Sequence, residues 1–206
     1  MKESKLRQAI GFIIDMVFAG ILWLLCSLPV VTLGPATTAL YYTIVKNVRH
    51  DRGELAKVFF TGLRCNFRQS FPMWLFYLGL LALAALDIYG YSHMGLERGR
   101  QLSALGGMLL IPVALSFPWM FAYISRFENS FAGSLRFVAY LCFRHIGRSL
   151  LLLLELLAFL AIAWLIPYLL PIIPGPFALL MSLQIEPVFR TFTLDRNEDR
   201  DEWYNE

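Results

Sequence analysis

The sequence predicts an all-α, polytopic transmembrane helix bundle of about six spans (or five plus a re-entrant hairpin), with two cytoplasmic basic amphipathic helices. Three observations carry this expectation. Apolar residues make up 58% of the 206-residue chain and charged residues only 16%, with a mean hydropathy of +0.58. A soluble domain is nearer half apolar and a quarter charged, and a monomer rarely exposes large apolar patches, so a bilayer is the natural solvent for this surplus. Several stretches reach the ~20 apolar residues needed to cross the hydrocarbon. Lys and Arg are gathered into a few linkers, the distribution that orients membrane proteins.

Taken in order, residues 9–33, 71–91, 102–127 and 150–170 satisfy the length criterion outright, and 177–193 is slightly short and carries Glu186. Lys2, Lys5 and Arg7 precede the first run, which is too long for a signal-peptide core and lacks a small-x-small cleavage site; a retained span is expected. Residues 36–48 are apolar but number only 13, enough for a short or tilted crossing. If they cross, both termini are cytoplasmic and 16 of the 18 Lys and Arg residues fall on that side, Arg98 and Arg100 excepted. If they do not, the basic segments 2–7 and 46–68 lie on opposite faces. The positive-inside rule therefore favours six passes in a bacterial inner membrane, or five plus a re-entrant hairpin at Gly34-Pro35. Residues 1–194 form one membrane domain and 195–206 an acidic cytoplasmic tail.

The two basic linkers are alike. Leu55, Val58, Phe59, Leu63 and Phe67 recur at helical spacing beside Lys57, Arg64 and Arg68; Phe131, Leu135, Val138, Cys142 and Ile146 do so beside Arg136, Arg144 and Arg148. Such helices lie in the lipid interface or pack on a partner. An 80-residue shift superposes Lys46 on Arg126, Gly53 on Gly133, Arg64 on Arg144 and Arg68 on Arg148. This suggests an internal repeat, 41–91 and 121–171, of the parallel kind found in transporters; the alternative is the ordinary likeness of two juxtamembrane basic helices.

Candidate chemistry is sparse. Pro29, Gly34 and Pro35 suggest a structural break. Broken backbone at membrane depth must be sheltered by protein or line a cavity, where Thr32, Thr37 and Thr38 would present hydroxyls; a plain outer turn is the simpler reading. Asp15, Glu155 and Glu186 are acids within spans, where charge is expensive and either paired or functional. A six-pass arrangement puts all three at one depth, with Arg190, Lys46 and Arg126 as candidate partners. They would form either a proton, cation or sugar-hydroxyl site open to the cytoplasm or ion pairs locking helices together. Cys26, Cys65 and Cys142 form no CxxC pair, and His50, His93 and His145 have no ligand spacing, so no disulfide, metal or cofactor is expected. Phosphate-cradling glycine loops and nucleophile motifs are missing, which argues against an enzyme. The charge is too diffuse for a nucleic-acid face.

The run Ser27-Leu28-Pro29-Val30-Val31-Thr32-Leu33-Gly34-Pro35-Ala36, then Ala39-Leu40-Tyr41-Tyr42, resembles the start of the YesL family of bacterial membrane proteins. Phe59-Phe60, Asn66-Phe67-Arg68-Gln69-Ser70 and Trp74 fit the same pattern over the first 75 residues or so. The resemblance implies an accessory role in carbohydrate uptake, with ABC-transporter permease or ATPase subunits and the lipid bilayer as partners; it supplies no mechanism and no catalytic residues. Two other classes of function stand beside it: a self-contained solute-binding subunit or small transporter built on the intramembrane acids, and an intramembrane enzyme.

Overall fold

The protein is described here by a computed structural model covering residues 2–48, 54–93 and 97–194. The expected acidic tail, and with it His50 and Gly53, lies outside these described residues. Within them all regular structure is helical: α1 (Lys2–Ser27), α2 (Leu33–Thr43), α3 (Leu55–His93), α4 (Glu97–Arg126), α5 (Phe131–Arg144), α6 (Ile146–Leu165) and α7 (Pro174–Leu194). Short 3-10 turns at Val30–Thr32 and Pro167–Leu169 join α1 to α2 and α6 to α7, and a π-helical turn, Ile44–Val48, prolongs α2.

Three helices hold a stretch long and apolar enough to cross a membrane: Ile10–Ser27 in α1, Leu55–Gly90 in α3 and Ile146–Leu165 in α6. Leu110–Arg126 of α4 is apolar but shorter. Their outward faces carry Ile13 and Ile14, Leu83 and Leu86, and Leu154, Leu157 and Leu165, all exposed. A soluble protein would not leave that much apolar surface uncovered; lipid is the solvent it fits.

The short segment after the first span is the centre of the bundle. Gly34, Pro35, Ala36 and every residue from Thr38 to Tyr41 are buried, and α2 packs against α1, α3, α4 and α7. Leu33–Val48 is 16 residues, about 24 Å of helix. A helix sheathed in protein does not need the ~20-residue length of a lipid-facing span, which is why it reads as short in the sequence.

The expected break is displaced. Pro29 disfavours helix at Leu28, and α1 stops at Ser27, with Pro29 itself extended (φ −75°, ψ 112°). Gly34 and Pro35 do not break anything: they sit in the first turn of α2, where a missing N–H is harmless. Gly34 is needed for proximity. A Cβ there would lie 2.4 Å from Cβ of Trp74 on α3 and 3.0 Å from the Phe121 ring on α4. Trp74 Nε1 also donates to the Val30 carbonyl at 2.7 Å, securing the turn that feeds α2. Backbone meets backbone again where α1 crosses the start of α7: Cβ atoms on Gly20 and Gly175 would collide with the Pro171 and Met16 carbonyls.

The first basic linker is not a separate interfacial helix. It continues without interruption into the following span, giving one 39-residue helix with Pro72 inside it. The physical reason is that its apolar face has protein to pack on: Leu55 and Phe59 are buried with Ala36, Ala39, Leu40 and Ile44 of α2. The second linker, α5, is separate. Ser130 caps it, accepting from the Gly133 N–H, and His145, outside the helical region at φ −117° and ψ 47°, divides it from α6.

Gly34→Ala should therefore destabilise the protein by about 1–3 kcal/mol through overpacking, whereas Gly79→Ala, with open space around its Cβ, should not. Thermal unfolding of the two variants in the same detergent checks this; equal stability would show that α2 is not held as closely as described.

Candidate functional site

Helices that meet at the basic end of the bundle build an ion pair in buried surroundings. Arg126, in the last turn of α4, places Nη1 2.6 Å from Glu186 Oε2 on α7, with the side chains 2% and 5% exposed. Tyr41 of α2 donates its hydroxyl to the other carboxylate oxygen at 3.0 Å. The guanidinium also stands 5.6 Å from the Phe127 ring centre and 5.9 Å from that of Phe189. Buried Trp119, Tyr123 and Ile185 belong to the same core. Of the three basic residues the sequence offers as partners for Glu186, the structure selects Arg126 for this contact. Lys46 instead donates to the Tyr42 hydroxyl at 3.0 Å, and Arg190 is exposed on α7. Removing one member of such a pair leaves an uncompensated buried charge, typically at a cost of about 3–5 kcal/mol.

The three intramembrane acids do not converge. Glu155 of α6 accepts a hydrogen bond from Gln184 Nε2. Gln184 and Glu186 are two residues apart, roughly 200° around α7, so Glu155 and Glu186 flank that helix on opposite sides. Asp15 is half-buried on α1, whose next residue, Met16, meets Gly175. That level is 11 residues along α7 from Glu186, roughly 16 Å at 1.5 Å per residue.

The three threonines use their hydroxyl protons internally. Thr37 donates to the Leu33 carbonyl at 2.7 Å and accepts from Trp23 Nε1 at 3.1 Å. Thr38 donates to Gly34 O, and Thr32 reaches Cys26 O and Pro29 O. These bonds tie α1, the turn and α2 together.

The basic residues behave oppositely. Lys57, Arg64 and Arg68 on α3, Arg136 and Arg144 on α5, and Arg148 at the start of α6 are all exposed. Beside them α3 and the α4–α5 linker enclose a polar cavity of about 350 Å³, lined by Cys65, Asn66, Arg68, Gln69, Pro72, Glu128, Asn129 and Phe131. Gln69 crosses to Ser134 Oγ at 3.0 Å, and Asn129 donates to the Tyr123 hydroxyl at 3.1 Å. Both basic linkers thus border one surface. Asn66, Gln69, Glu128 and Asn129 lie outside the residues the sequence points to; the available signal is the uncharged polar i, i+3 pair Asn66 and Gln69 flanking Arg68 on α3. Further along, α3, α4 and α5 leave an apolar crevice of about 540 Å³, with Tyr77 and Ser116 hydrogen-bonded to each other at 2.8 Å in its wall. Cys142, facing the same crevice, has its thiol pushed up to about 11 by burial. Burial, then Arg148 and Arg144, lowers the proton affinity of His145, which stacks on Trp119. Among the described residues no three His, Cys, Asp or Glu side chains converge as metal ligands.

Comparison with known proteins gives one match. A family described as "Protein of unknown function, DUF624" matches residues 16–88, a stretch holding the later part of α1, the turn, α2 and most of α3. No curated protein and no solved structure matches the chain significantly.

Glu186→Gln should lower stability by about 3–5 kcal/mol, and Tyr41→Phe by about 1.5–3 kcal/mol, the range for a hydrogen bond to a charged group. Unfolding temperatures in detergent would rank them; a Glu186→Gln protein as stable as the parent would mean the pair is not closed.

Proposed function

We propose that the protein is a non-enzymatic accessory component of bacterial carbohydrate uptake, of the YesL type, resident in the cell inner membrane with both termini cytoplasmic. It would act by presenting its basic end to permease or ATPase subunits of an ABC importer and to anionic lipid. One contrast carries the reading. Two of the acids that a transporter would use, Glu186 and Glu155, face internal partners, while the six basic side chains expected to contact partners are exposed and one of them, Arg68, lines an open cavity. Exposed arginines suit recognition of carboxylate and phosphate groups, which they bind bidentately. The carbohydrate context is supported by the resemblance of Ser27–Tyr42 and Asn66–Ser70 to that family, in a region which the DUF624 match also covers.

Reversing charge with Arg64→Glu and Arg68→Glu should release the partner without loss of membrane insertion. Affinity purification from mildly solubilised native membranes, with mass spectrometry of the co-purifying proteins, reads this out. ABC-importer components that disappear in the variant support the proposal; an unchanged set of partners overturns it.

Orientation is separately testable. Cys65 is exposed at the basic end, whereas Cys142 is buried and its thiol remains protonated near neutral pH. A membrane-impermeant maleimide should label the protein in inverted vesicles but not in intact cells, and Cys65→Ser should abolish that labelling. Labelling from the cell exterior that Cys65→Ser abolishes would place the basic end outside; Cys26, half-buried near the end of α1, is the other thiol such labelling could reach.

A further inference from the structure

The α6–α7 contact holds two buried acceptors with nothing to accept from. Glu155 takes a hydrogen bond from the Gln184 amide N–H through Oε1, yet Glu155 Oε2 and Gln184 Oε1 are both buried and unpartnered. Every atom left over at this contact is an acceptor, and a carboxylate supplies no donor. Among the described residues the surroundings supply no compensating cation. On α6, Arg148 is two turns away and donates to the Gln184 backbone carbonyl at 3.4 Å. On α7, Glu186 lies on the far side, engaged with Arg126 of α4, and Arg190 is more than a turn further along. On α5, Arg144 and His145 stand beyond Arg148 towards the basic end, and the turn after α6 contributes Tyr168 alone. Glu155 turns its carboxyl inward against α7 from a helix with only 11% of its residues buried, and an unpaired carboxylate in such apolar surroundings is costly.

A single proton resolves both orphans. Placed on Oε2 it converts one surplus acceptor into a donor, with Gln184 Oε1 as its acceptor. The result is a cyclic acid–amide pair: amide N–H to carboxyl C=O, and carboxyl O–H to amide C=O. We propose that Glu155 is a proton-binding site, carrying its proton at neutral pH as the neutral half of a two-hydrogen-bond clasp between α6 and α7. Loss of the proton removes the second hydrogen bond, leaves a charge at the lipid-facing edge and loosens α6 from α7.

Infrared spectroscopy of the protein in lipid vesicles tests this directly. The parent should show the C=O absorption of a protonated carboxylic acid at pH 7, and Glu155→Gln, whose amide reproduces both hydrogen bonds, should lack it. Gln184→Ala should shift the band to the higher frequency of an acid without its partner. Should Glu155→Gln fail to fold, Glu155→Asp, which keeps an acid but moves its carboxyl, should displace the same band. A parent spectrum at pH 7 indistinguishable from that of Glu155→Gln would show Glu155 ionised and overturn the proposal. A band that Gln184→Ala leaves unshifted would overturn the pairing.

Discussion

Arg126 and Glu186 are a charge pair almost fully withdrawn from solvent, and the placement of three helices follows from keeping them together. Arg126 fixes the end of α4, Glu186 fixes the rotation of α7, and Tyr41 brings in the central helix α2. Because the pair is buried, its net contribution relative to an apolar core is small, but breaking it leaves a lone charge and is severe. Its role is therefore specification. It permits one rotation of α7 about its axis and hence decides that Gln184, on the opposite side, meets Glu155 of α6.

The second constraint is proximity. A bundle without water between its helices gains its cohesion from close packing and from bonds among polar side chains. Gly20, Gly34, Gly62 and Gly175 each bring backbone against a neighbouring chain segment where even a methyl group would collide. Around those contacts Trp23, Trp74 and Trp119 donate their indole N–H groups to Thr37, the Val30 carbonyl and Ser149. These tryptophans are all buried, so they act as internal struts, while Trp164 is 87% exposed and remains suited to a membrane interface.

How much of this was legible in the sequence differs by element. The apolar lengths located α1, α4, α6 and α7, whose apolar stretches are long and continuous in the sequence. They left α2 as a short or tilted crossing, because 13 apolar residues fall below the length of a lipid-facing span. They divided α3 in two, because the change from basic amphipathic to fully apolar marks a change of surroundings and not of backbone. Proline was the other source of error: Pro29 ends a helix, whereas Pro35 starts one and Pro72 is carried within one, and only the position relative to the helix start separates these cases. Among the site residues, the exposure of Arg64, Arg68, Arg136, Arg144 and Arg148 followed from periodicity. Arg126 was present only as one of three partners for Glu186, because choosing between helices requires their rotation. The pairing of Glu155 with Gln184 carried no sequence signal, since nothing local distinguishes Gln184 from any other polar residue in a span.

The claim on which the account rests is that Arg126 and Glu186 act as one unit, and a double-mutant cycle measures it most directly. Arg126→Met, Glu186→Met and the double variant would be compared by thermal or denaturant unfolding in a single detergent. The account predicts that each single substitution is strongly destabilising while the double variant recovers most of the parent's stability, a coupling of roughly 3 kcal/mol or more. Losses that simply add in the double variant would contradict it.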